Sequence, residues 1–76
     1  MKLLTTIQPC YNIYEHDNGA YSIFNTRTKK YNKDARGIIY YDKATAISVA
    51  QVMALREYGI DYFMPADYSE SDETAP

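Results

Sequence analysis

The dipeptide Asn18-Gly19 constrains this chain more than any other feature. It separates two runs, YNIYEHD and AYSIF, in which apolar and polar side chains broadly alternate. Asn-Gly between such runs predicts a β-hairpin, because a tight type I′ turn needs positive φ at both central residues. The pattern places strands over 10–17 and 20–27. With a two-residue loop, paired positions sum to 37, so that Tyr14 faces Ile23, His16 faces Tyr21 and Ile13 faces Phe24. One face then carries Tyr14, His16, Tyr21 and Ile23, and the other carries Tyr11, Ile13, Phe24 and Thr26. A bulged loop would shift this register and exchange the partners.

The rest of the chain supplies what a hairpin needs to be stable. Residues 28–34 are polar and basic and read as a strand extension or a loop. Ala35-Arg36-Gly37 reads as a turn. Residues 37–41, GIIYY, form a short β-run without alternation, as expected of a segment covered on both sides. Asp42 is placed to cap a helix over 43–58, and Gly59 to stop it. On that helix Ala46, Val49, Ala50, Met53 and Ala54 form one stripe with Ile47 at its edge, while Val52 and Leu55 widen the apolar arc. Residues 60–64 are a candidate last strand. The expected fold is α+β: an antiparallel sheet of three strands, or four if residues 60–64 pair, against one helix, in the order β-β-β-α(-β). Residues 1–65 read as one domain, and the acidic residues 66–76 as a disordered tail.

Size and composition narrow the function. A chain of 76 residues has little room for a deep preformed cavity. One cysteine, Cys10, rules out an internal disulfide and fits an intracellular, cytoplasmic protein. No secretory h-region follows Met1-Lys2-Leu3-Leu4, and no apolar run approaches the roughly 20 residues of a membrane span. Cys10 and His16 stand six apart on one strand, about 20 Å at roughly 3.3 Å per residue, too far for a thiol–imidazole dyad. Glu15, His16 and Asp17 alternate between faces and do not converge on a metal. No nucleotide-binding, serine-hydrolase or zinc-protease motif occurs. The expectation is a protein that is not an enzyme and has no metal or cofactor.

Charge is lopsided. Residues 27–43 carry a net +4, and residues 57–76 carry six carboxylates and no base, within an overall net charge of −2. Arg27, Lys29, Lys30, Lys33 and Arg36 could track a phosphate backbone with Tyr31 stacking on a base. The hairpin–strand–helix order resembles small three-stranded DNA-binding domains such as integrase arm-binding domains, and that resemblance implies nucleic-acid binding. The acidic pI of about 5.1 opposes it. The leading expectation is a protein-binding module. Tyr14, His16, Tyr21 and Ile23 make the contact, while Asp67 and Glu70 orient it toward a partner with a basic surface. In size and character the chain is similar to the accessory proteins with which phages and mobile elements block host machinery, anti-CRISPR proteins among them. That resemblance implies an inhibitor. Self-association as a homodimer is a further reading, and a membrane partner is not expected.

Overall fold

The computed structural model describes residues 1–62. Four antiparallel strands lie side by side in chain order: β1 (Lys2–Ile7), β2 (Tyr11–Glu15), β3 (Tyr21–Asn25) and β4 (Lys30–Tyr31). A separate two-stranded hairpin, β5 (Lys33–Asp34) with β6 (Gly37–Ile38), follows, and then a helix, α1 (Lys43–Tyr58). The α+β class and the sheet-plus-helix architecture are as the residue pattern predicts.

The turn between β2 and β3 is where the expected register fails. Gly19 is left-handed, with φ 84°, but Asn18 is not. The Gly19 N–H donates to the His16 carbonyl and the His16 N–H donates to the Ala20 carbonyl, both at 2.9 Å. The loop therefore holds three residues, Asp17, Asn18 and Gly19, with the glycine as the bulge residue. The Asn18 side chain closes it by accepting from the Ala20 N–H at 3.0 Å. Paired positions consequently sum to 36. Ile13 faces Ile23, Tyr14 faces Ser22, Glu15 faces Tyr21 and Asn12 faces Phe24. A one-residue shift moves a whole strand's side chains to the opposite face. Ile23 and Phe24 have exchanged places relative to the two-residue reading.

The core is built on that register. Tyr11, Ile13 and Ile23 from the sheet, with Ile7 and Cys10, pack against Ala46, Ala50 and Ala54 of α1. The alanines recur every fourth residue, so they form one row on the helix. Their small side chains let the helix lie close to the sheet. Val49, Met53 and Ile47 flank the row, as the stripe predicts, and Leu55 stays exposed. Asp42 caps the helix by accepting from the Thr45 N–H and hydroxyl at 3.3 and 2.5 Å. Gly59, at φ 73°, ends it and returns its N–H to the Leu55 carbonyl at 2.9 Å.

Strand β1 escapes the sequence pattern because it is bulged. Its pairing with β2 slips between Leu3 and Thr5. Leu4, inside the slip, packs on the core, and Thr5 pairs with core-facing Ile13. Two successive residues therefore break the alternation by which strands are recognised. Residues 37–41 are likewise not one covered strand. Gly37 and Ile38 pair with the β5 residues, Ile38 and Tyr40 are exposed, and Tyr41 alone rejoins the sheet through reciprocal 2.8 Å bonds with Tyr21. The free edge of β3 is thus held by β4 at one end and Tyr41 at the other. Residues 60–62 form no strand; Ile60 packs on the core and the Tyr62 hydroxyl donates to the Gln8 carbonyl at 3.0 Å. The remainder of the candidate strand at 63–64 and the tail at 66–76 lie outside the described residues. No helix among the described residues is long and apolar enough to cross a membrane.

Candidate binding face

The sheet face turned away from α1 is defined by the same register. It carries Leu3 and Thr6 from β1, Asn12 and Tyr14 from β2, Ser22 and Phe24 from β3, and Tyr31 from β4. Three rings form a row across strands β2, β3 and β4. Tyr14 and Phe24 meet edge to face with centroids 6.2 Å apart, and Phe24 and Tyr31 do so at 4.9 Å. These are the diagonal and direct cross-strand contacts that antiparallel pairing provides. A polar chain anchors the row. The Thr6 hydroxyl donates to the Asn12 side-chain oxygen Oδ1 at 2.9 Å, and Asn12 Nδ2 donates to the Tyr14 hydroxyl at 3.1 Å. The Tyr31 hydroxyl donates to the Met1 sulfur at 3.6 Å. Among the described residues, no strand position on this face carries a formal charge.

At the other end of the face His16 and Tyr40 close over Ser22. His16 Nε2 and Ser22 Oγ share a 2.8 Å hydrogen bond, and the His16 ring meets Tyr40 edge to face at 5.1 Å. A histidine bonded to a serine has the geometry of a base beside a nucleophile. Ser22 is fully buried, however, so a substrate atom cannot reach its oxygen. The pair instead satisfies a buried hydroxyl and fixes the segment that carries Tyr40.

The expected contact residues are divided by the fold. Tyr14 and His16 lie on the open face. Tyr21 and Ile23 do not: Ile23 is 1% exposed in the core, and Tyr21 packs beside it. Burial, and then the Glu15 carboxylate beside it, push the Tyr21 hydroxyl above its ordinary pKa. Asp67 and Glu70 lie outside the described residues. Phe24, which the two-residue loop places beside Ile13, and Leu3, which the residue pattern gives no role, both belong to this face, and both follow from alternation once the loop is given three residues and β1 its bulge.

The basic set disperses as well. Tyr31 joins the aromatic row, but Lys30, opposite Asn25, sits at a register position of the helix-facing side. The Arg27 guanidinium stacks over the Tyr58 ring, 4.7 Å from its centroid. Lys29 occupies the turn before β4 at φ 62°. Lys33 and Arg36 are on the β5–β6 hairpin, where Arg36 lies 3.9 Å from Asp34. The five cations therefore do not ring Tyr31.

Cys10 is buried, its thiol donating to the Tyr58 hydroxyl at 3.5 Å, at the opposite end of the hairpin from His16. Tyr11 meets Tyr58 edge to face at 6.2 Å. Burial, reinforced by Cys10, Tyr58 and Glu57 and opposed by Arg27, pushes the Tyr11 hydroxyl up to about 12. The Cys10 contact and burial also raise Tyr58, against the nearby Arg27. Among the described residues there is no pocket and no group of three or more potential metal ligands. No protein family, curated protein or solved structure matches this chain.

Proposed function

We propose that this chain is a protein-binding module whose contact surface is the open sheet face centred on Tyr14, Phe24 and Tyr31. The observation that carries this reading is an uncharged aromatic row, crossing three strands, on the face that the helix does not cover. Tyrosine and phenylalanine bury large areas while freezing few rotors, which is why protein interfaces are enriched in them. The module acts by occupancy rather than by chemistry. The acidic residues beyond the described part, Asp67 and Glu70 among them, favour a partner whose rim is basic. The finer reading is an inhibitor of a host macromolecular machine, of the kind that phages and mobile elements make; small size and polarised charge support it.

Nucleic-acid binding is the second reading, because aromatic rows on sheets also stack bases. It is less favoured since the cations stand away from the row. A phosphate backbone laid along Tyr14, Phe24 and Tyr31 would meet no strand-borne charge.

The test is capture of partners from nuclease-treated bacterial lysate by tagged wild-type protein, by Tyr14→Ala/Tyr31→Ala and by Leu55→Ala. The proposal expects one stoichiometric protein, lost from the double variant and retained by Leu55→Ala. Equal capture by all three proteins would place the interface elsewhere. Salt-sensitive recovery of nucleic acid in untreated lysate, with no protein partner, would favour the second reading.

A further inference from the structure

Charge is unequally divided along this chain. Residues 1–62 hold eight lysines and arginines against six carboxylates, a net +2. Residues 63–76 hold Asp67, Glu70, Asp72 and Glu73 and no base, a net −4. The acidic part is therefore covalently attached to a body of opposite sign.

The attachment point lies at one particular end of the sheet. The Tyr62 hydroxyl is bonded to the Gln8 carbonyl, and two residues on, the Cys10 carbonyl accepts from the Thr26 N–H at 2.8 Å. Thr26 opens the turn to β4, which carries Arg27 and Lys29 and leads into Lys30. Arg27 lies over Tyr58, in the last turn of α1. The turns after β1 and β3, the helix C-terminus and Tyr62 are thus gathered together. The charged groups at this end are Arg27, Lys29, Lys30 and Arg56 against Glu57 and Asp61. Arg27, Lys29 and Lys30 are exposed, and no ion pair engages them among the described residues.

We propose that residues 67–73 of the same chain dock on the basic turn at 27–30. The lengths suffice. At about 3.3–3.6 Å per extended residue, Asp67 reaches roughly 17 Å from Tyr62, and Glu73 roughly 37 Å. Tethering replaces a bimolecular encounter with an effective concentration in the millimolar range. Individual exposed ion pairs are weak, but four carboxylates at that concentration hold a salt-sensitive contact. Docked, the segment neutralises the turn. This contact does not depend on what the aromatic face binds.

The experiment compares backbone amide spectra of the full chain with those of the full-chain variant Asp67→Asn/Glu70→Gln/Asp72→Asn/Glu73→Gln. At about 20 mM salt the amides of residues 27–30 should differ between the two proteins. At about 0.5 M salt, where the screening length is only a few ångströms, the difference should vanish. In a second variant, Lys29→Glu/Lys30→Glu, the amides of residues 67–73 should take their high-salt positions without added salt. Identical spectra at low salt would overturn the proposal. So would differences insensitive to salt, or differences centred on Lys2, Lys33, Arg36 or Lys43 instead of the turn.

Discussion

Replacing Ile23 and Phe24, one at a time, by alanine tests the register on which every assignment above rests. Ile23 is 1% exposed and directly opposite Ile13, which is fully buried. Truncation to alanine deletes three carbons, worth about 2.4 kcal/mol at roughly 0.8 kcal/mol per buried methylene. A cavity term adds to this, because the buried residues of the facing helix are Ala46, Ala50 and Ala54. Alanines have no rotamers with which to fill a void. The expected cost of Ile23→Ala is therefore about 3–4 kcal/mol, within the measured span for such changes. A domain of this size has roughly 4–11 kcal/mol in total, so the variant loses a large fraction of its stability. Phe24 is half-buried; its two edge-to-face contacts, at about 0.5 kcal/mol each on a solvated face, and partial burial, about 1 kcal/mol, together come to about 2 kcal/mol. The assay is urea unfolding followed by far-UV circular dichroism. At a slope near 1 kcal/mol per molar, Ile23→Ala should lower the midpoint by about 3–4 M, and Phe24→Ala by about 2 M. The opposite order would refute the reasoning. With a two-residue loop Phe24 would be the core residue, costing about 3–5 kcal/mol, and Ile23 a surface one costing within about 0.5 kcal/mol.

Other consequences follow from single sites. The Thr45 hydroxyl and N–H hold the Asp42 carboxyl below its ordinary value, so the stability it contributes is present above the usual aspartate pKa and lost as pH falls through the lowered one. Asp42→Asn keeps a capping oxygen but should flatten the acid limb of helicity between pH 5 and 2; an unchanged limb would show that the cap carries no linkage. Tyr11 is displaced the other way, up to about 12, so its contribution is present below pH 10 and declines as pH rises through 12. In Tyr11→Phe the urea midpoint should fall less steeply between pH 10 and 12, and an identical slope would argue against the burial of this hydroxyl. Gly59→Ala forces a side chain to φ 73° and should cost about 1 kcal/mol in thermal or urea unfolding, although open space surrounds the site. A neutral result would mean that the helix ends by some other geometry.

Local chemistry was legible directly from the residues. Asp42 and Gly59 mark the helix ends because capping and left-handed backbone are properties of a residue and its nearest neighbours. The alanine row predicts its buried face because helical periodicity is intrinsic to the chain. Asn18-Gly19 marks a turn for the same reason. Whether that turn holds two or three residues was not legible, since Asn-Gly serves both geometries and the choice depends on which register buries more. The fold resolves it by setting Ile13 beside Ile23 over the helix. That one-residue difference moved Ile23 and Tyr21 into the core side and brought Phe24 out beside Tyr14. The bulge that hides β1 is equally a matter of pairing, because only a neighbouring strand makes Leu4 an extra residue. The basic run shows the same limit: contiguous in sequence, it is scattered by a turn, a strand edge and a hairpin. Residue type and short spacing decide turns, caps and helix faces. Which side of a sheet a residue occupies is decided by long-range pairing, where a shift of one residue reverses the answer.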